Sequence, residues 1–279
     1  MNEVVLLDRF FDKIHIHLVN CYSNTTRWPI ILGIFGRSGD GKSAQLSTAL
    51  RRCSVEIIRV NAADLESGLA GEPGKHIART YATASMAVAK GIPTALIVDD
   101  VDTTVGEWRM NTGTVNHQQV LAELMHLADQ PVDTARNFPR RVAIFVTGNN
   151  LARLYPPLRR HGRMNTFAWR PEPQEVRTVA AGVMNGFIDA PTLDALVRDF
   201  GNEPLSFFAQ IRQELDYAAS SRNLRQIGNN MRDFLGRVDG QAINRTQRLI
   251  TGGEVLQIAR RVQAERQAAL RDFLEEPGS

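Results

Sequence analysis

The stretch GRSGDGKS, Gly36 to Ser43, directly follows the apolar run PIILGIF, residues 29–35. It fits the spacing G-x-x-x-x-G-K-[ST] and stands between a predicted strand and a predicted helix, the context in which that spacing has physical meaning. Glycines let the backbone turn with its N–H groups facing inward. The helix N-terminus behind them adds partial positive charge, so the loop cradles anionic phosphates. In that reading Lys42 reaches the β- and γ-phosphates of a nucleotide and the Ser43 hydroxyl ligates Mg2+. The chain has only four lysines, Lys13, Lys42, Lys75 and Lys90, in an arginine-rich background. Lys42 therefore marks a position that wants a compact charge rather than a planar fork. The candidate nucleotide contacts are Gly36, Ser38, Gly39, Asp40, Gly41, Lys42, Ser43 and Ala44, with ATP and Mg2+ as the expected cofactors.

Working outward, residues 1–20 read as an amphipathic helix with Leu6, Leu7, Phe10, Phe11, Ile14 and Leu18 on one stripe. Strands are expected at IILGIF, VEIIRV, TALIVDD and RVAIFVTGNN, with a short fifth at MNTFAWRP. Helical segments separate them, one closed by Gly91 and another stopped by Pro131. Short apolar strands alternating with helices predict a mostly parallel sheet covered on both faces. After Pro171 every periodic segment is helical. The predicted organisation is an α/β nucleotide-binding domain over 1–170, with residues 1–25 as N-terminal helix and linker, then a smaller all-α domain over 171–279.

Composition narrows the class. Hydrophobic residues make up 43% and charged residues 23%, ordinary for a globular protein. No run of about 18 apolar residues appears, so no membrane span is expected. The N-terminus carries acids early and has no small-residue cleavage site, so no secretory signal is expected. Cys21 and Cys53 show no metal-ligand spacing, which argues against zinc and for a reducing, cytoplasmic compartment. The net charge of +3 is scattered, and no clustered basic face points to nucleic acid.

A phosphate loop requires an acid at the end of a neighbouring strand. In ALIVDDVD, Asp99 ends the apolar run and is the expected Mg2+ partner. Asp100 is placed to polarise the attacking water as general base. Asp102 follows, and could equally be a helix or loop cap. A polar residue after the next strand often positions that water. Thr147 and Asn149 both qualify, and Asn149 is favoured, although an asparagine there also suits a plain turn. In YPPLRRHGRM, Arg159, Arg160 and Arg163 cluster after that strand. Arg160 and Arg163 flank His-Gly and read as cations supplied to a neighbouring subunit's phosphoryl group, with a solvated basic loop as the alternative.

These residues resemble a known family. LGIFGRSGDGKS, LESGLAGEP, TVNHQQVLAELMHLADQP, VTGNNLARLYPPLRRHGRM and FAWRP are similar to the Rubisco activases, the cyanobacterial type in particular, within the AAA+ ATPases. The similarity runs from about Leu7 to Leu215. It implies a P-loop AAA+ module followed by an all-α lid, assembled as a hexameric ring with ATP at subunit boundaries. It also implies Asp99 and Asp100 as the magnesium and catalytic acids, Asn149 as sensor, and Arg160 and Arg163 as arginine fingers. Arg212 matches the second sensor. ESGLAGEP matches a first pore loop, in which Leu69 is the sizeable apolar group, and residues 103–114, with Trp108 and Arg109, fall at the second. The implied work is mechanical: hydrolysis drives pore loops that pull open a Rubisco site blocked by a sugar phosphate. The alternatives are a paralogue acting on another protein client, a nucleic-acid-handling motor, or an ATP-dependent assembly scaffold.

Overall fold

The structure, a computed structural model, describes residues 4–23, 28–60, 72–101, 115–222, 232 and 251–275. The chain divides into two compact units, one reaching to Arg170 and the other beginning at Pro171.

The first unit is built on five parallel strands: β1 (Ile31–Phe35), β2 (Glu56–Val60), β3 (Thr94–Val98), β4 (Ala143–Gly148) and β5 (Met164–Ala168). Their order across the sheet is β2-β3-β4-β1-β5. The three central strands are buried along their whole length, which is why they read as unbroken apolar runs. The edge strands β2 and β5 carry exposed residues, Glu56 and Arg59 on one and Asn165 to Ala168 in part on the other. Among the described residues the α-helices of this unit are α1 (Asp8–Tyr22), α2 (Lys42–Arg52), α3 (Glu72–Ala89) and α4 (Val115–Asp129). α1 packs on α2, and α3 packs on α4 and β3. Because β1 lies between β4 and β5, its carboxyl end sits beside that of β4. That is where a parallel sheet changes winding direction and opens a crevice.

Two expectations are corrected. The first helix starts at Asp8, not near the N-terminus. Leu7 is extended rather than helical because Gln45, almost fully buried on α2, grips the chain there. The Leu7 N–H donates to Gln45 Oε1 at 3.0 Å, and Gln45 Nε2 donates to the Val5 carbonyl at 2.6 Å. The third strand ends at Val98, so the two acids behind it belong to a turn. Asp102, Leu69 and Trp108, with nearly all of both expected pore loops, lie outside the described residues. Only Glu72 and Pro73 of the first are seen, opening α3.

Among the described residues the second unit is helical: α5 (Pro173–Val183), α6 (Ala190–Phe200), α7 (Leu205–Arg222) and α8 (Gly252–Glu275). Proline at the start of α5 and the Glu172 N–H bonded to Glu175 at 2.7 Å fix its entry. Asp189 caps α6 by accepting from the Thr192 N–H at 3.0 Å. Thr251 and Glu254 cap α8 reciprocally. Leu196, Phe207, Phe208, Ile211, Leu215, Val255, Ala259 and Val262 form the core.

Among the described residues no helix is long and apolar enough to cross a membrane.

α1 is locked to the sheet by a buried histidine. His17 Nε2 meets the Ile30 carbonyl at 3.1 Å, and Trp28 Nε1 donates to His17 Nδ1 at 3.2 Å. Nδ1 therefore accepts and Nε2 carries the proton. Burial pushes His17 down to about 4; the Lys13 and Arg141 charges push the same way, against the Ile30 carbonyl. A histidine depressed in the folded state stabilises fully above its ordinary value of 6.5 and loses that stability as pH falls toward 4. Between about pH 7 and pH 5 the expected loss from this group is about 2 kcal/mol. Urea unfolding of wild type and His17→Gln at both pH values checks this: the wild type should lose that much more than the variant.

Candidate functional site

The carboxyl ends of β1, β3 and β4 bring the predicted residues together. After Phe35 the chain turns through Gly39 and Gly41, both at left-handed φ (82° and 78°), which suits residues without a Cβ. α2 then begins at Lys42. Lys42 is buried and its ammonium donates to the Gly36 carbonyl at 2.8 Å, the Arg37 carbonyl at 3.1 Å and Asn149 Oδ1 at 3.0 Å. Two candidate site residues are thus in direct contact, although 107 positions apart. Ser38, Ser43 and Ala44 are exposed on the open side of the loop.

The acids are organised by one hydroxyl. Thr147, completely buried on β4, donates to Asp99 Oδ1 at 3.0 Å and accepts from the Asp100 N–H at 3.1 Å. Ser43 Oγ donates to the same Asp99 oxygen at 3.1 Å. Asp100 holds a left-handed backbone, φ 49°, which aspartate tolerates better than most residues and which recurs at working sites. The sequence weighed Thr147 against Asn149 for one role; the structure gives them different places. Thr147 holds the acids, and Asn149 meets the lysine. Ser43 Oγ and the Asp99 carboxylate form a pair of hard oxygen donors with the loop alongside, which fits Mg2+ carried by phosphates. Among the described residues no cluster of three or more His, Cys, Asp or Glu could hold an ion by itself.

The Asp40 side chain is used within the protein: its carboxylate is buried and paired with Arg37 at 3.1 Å, where it braces the loop. The sequence reading gave no role to the residue that anchors this brace. Trp169 donates its backbone N–H to the Phe35 carbonyl at 2.6 Å and its indole N–H to the Asp40 carbonyl at 2.8 Å. Its ring meets Phe10 edge-on at 4.9 Å, with Arg9 over its face at 4.7 Å. A Cβ at Gly36 would lie 2.1 Å from the Trp169 carbonyl oxygen, so that glycine is required by close approach. No local pattern around FAWRP signals this, because the partner lies 129 positions away.

The arginines divide. Arg160 is exposed and its guanidinium has no hydrogen bond or ion pair among the described residues. Arg163 turns back into its own chain. It grips Asp129 at the end of α4 through two nitrogens, at 2.7 and 2.6 Å, and reaches the Pro157 carbonyl at 3.1 Å. That bidentate hydrogen bonding raises the Arg163 pKa further. The two arginines therefore do not project together from one turn. Arg212, in the second unit, is mostly buried. It donates to the Val183 carbonyl at 2.8 Å and to Asp216 at 3.2 Å, and stacks 3.5 Å above the Phe187 ring.

A parallel α/β unit with a lysine-bearing phosphate loop, two acids just past one strand and an asparagine just past the adjacent strand fits an ATPase module of the AAA type. Residues 32–172 match the ATPase family associated with various cellular activities (AAA), and the chain belongs to that family. It is similar to the ribulose bisphosphate carboxylase/oxygenase activase of Anabaena sp., 36% identical over 218 residues, covering 74% of this chain and 52% of the relative. The chloroplastic activase of Spinacia oleracea is 32% identical over 238 residues, 82% of this chain and 50% of the relative. That of Zea mays is 36% identical over 222 residues, 76% and 51%. The chain spans about half the length of the curated relatives it matches.

Trp169→Phe keeps the ring packing but leaves the Asp40 carbonyl without its indole donor. The expected destabilisation is about 1–3 kcal/mol, read by urea unfolding. An unchanged unfolding midpoint would count against the brace.

Proposed function

We propose that this chain hydrolyses ATP and couples the hydrolysis to remodelling a protein client, with Rubisco as that client. The observation that carries the ATPase reading is the meeting of Lys42 with Asn149 and of Ser43 with Asp99 at one end of the sheet. The names of the relatives support the choice of client.

The loop amides and Lys42 bind the triphosphate, the lysine exchanging its present carbonyl partners for phosphate oxygens. Ser43 and Asp99 would hold Mg2+, which would supply positive charge to the phosphates. Asn149 orients the attacking water and Asp100 takes its proton as the water oxygen bonds to the γ-phosphorus and ADP leaves. Thr147 keeps both acids in register throughout. Arg160 supplies the cation that a neighbouring copy's site lacks, in a ring that we take to be hexameric. Arg163 and Asp129 brace the turn that presents it. Arg212 is the proposed second sensor on the helical unit. Residues 66–73 and 103–114 are the proposed pore loops.

Lys42→Ala should abolish binding of a fluorescent ATP analogue, and Asp100→Asn should bind it but hydrolyse at under about a hundredth of the wild-type rate. Retained affinity in the first, or normal turnover in the second, overturns the ATPase assignment. The client is tested separately. Wild type plus ATP should restore carboxylation by sugar-phosphate-inhibited Rubisco from the same source; robust hydrolysis without recovery points to a different client.

The division between arginines has its own test. Arg160→Ala should lower turnover about 10³-fold and be partly rescued when mixed with Asp100→Asn subunits. Asp129→Asn should lower turnover less and shift the unfolding midpoint as well. Equal losses from Arg160→Ala and Arg163→Ala, with no stability change in the latter, would make both of them fingers.

A further inference from the structure

The carboxylate assigned to Mg2+ already holds a cation. Arg59, one residue before the end of β2, places one guanidinium nitrogen on Asp99 Oδ2 and the other on Ser47 Oγ. The remaining oxygen, Asp99 Oδ1, accepts from Ser43 and Thr147. Ser47 sits one turn beyond Ser43 on α2 and donates to the Ser43 carbonyl at 2.5 Å. One side chain thus spans from the sheet edge across the tip of β3 to the helix that carries the phosphate loop.

Nothing in phosphate binding calls for this. The Arg59 guanidinium is directed at the acid, not at the loop amides, and takes the carboxylate oxygen that Ser43 leaves open. It neutralises the charge that would attract a divalent cation. A hydrated Mg2+ arriving at Asp99 either displaces the guanidinium or shares the carboxylate with a like charge, and both raise the ion concentration required. The pair is partly exposed, 35% for the Arg59 side chain and 22% for Asp99, so water and salt moderate the effect.

We propose that Arg59 is a resident competitor for Asp99 that sets how much free Mg2+ the nucleotide site needs. The proposal rests on the ATP-site reading above. It assigns Arg59 as a positioning residue whose removal makes metal loading easier, the opposite of what loss of a simple strut would do.

The test is a free-Mg2+ titration of the full chain with a fluorescent ATP analogue, reading the metal-dependent gain in affinity at equilibrium with no turnover assay involved. In Arg59→Gln the half-point should fall about three- to fivefold, while analogue affinity in EDTA stays within about twofold of wild type. The shift should shrink as ionic strength rises. Ser47→Ala, which removes the other anchor of the guanidinium, should shift the half-point the same way by less. An unchanged half-point in both variants overturns the proposal, and a raised one in Arg59→Gln identifies a strut. Wild type that fails to bind the analogue at all overturns the ATP-site reading itself. Wild type that binds with a Mg2+ requirement, and variants that show no fall, overturn only the role of Arg59.

Discussion

A single buried hydroxyl organises the acidic turn at the end of this sheet. Thr147 has no access to solvent, so both of its hydrogen-bonding capacities must be met inside the protein, and both are met by the acidic turn after β3. That requirement fixes the Asp99 carboxylate against Ser43 and holds Asp100 in a left-handed conformation that a free turn would abandon. Two acids adjacent in sequence are consequently held differently, one through its side chain and the other through its backbone.

The phosphate loop is supported in a comparable way from behind. A loop whose amides face inward must satisfy its carbonyls elsewhere, and here Lys42 takes two of them and the Trp169 indole takes a third. Arg37 and Asp40 close the rear of the turn. Phe10 and Arg9 press on the tryptophan, which connects α1 to the loop. The geometry needed to bind an anion is therefore maintained by aromatic packing and backbone bonds as much as by the glycines of the motif.

The arginines differ in how they are held. Arg163, Arg212 and Arg59 are paired with carboxylates, whereas Arg160 is exposed, with no ion pair among the described residues. The sequence put Arg160 and Arg163 forward together from one short segment; exposure and the position of Asp129 on α4 separate them. An exposed arginine keeps its capacity to neutralise a distant charge, while one already paired stabilises the turn that carries it.

Much of this protein was legible without coordinates. Residues 31–35, 94–98 and 143–148 read as buried strands because both faces are covered, and Gly36 to Ser43 read as a phosphate loop because its spacing reports a backbone requirement that is local. The acids at 99 and 100 followed from their place at the end of an apolar run. What could not be read were relations between distant residues of ordinary type: Gln45 holding the chain before α1, Trp169 bonding to Asp40, Thr147 bonding the turn at Asp99 and Asp100, Arg59 on Asp99. Periodicity and motif spacing record what a segment requires of its own backbone. Which side chain fills a hydrogen-bond vacancy 40 to 130 positions away depends on strand order, and strand order arises only when the sheet assembles.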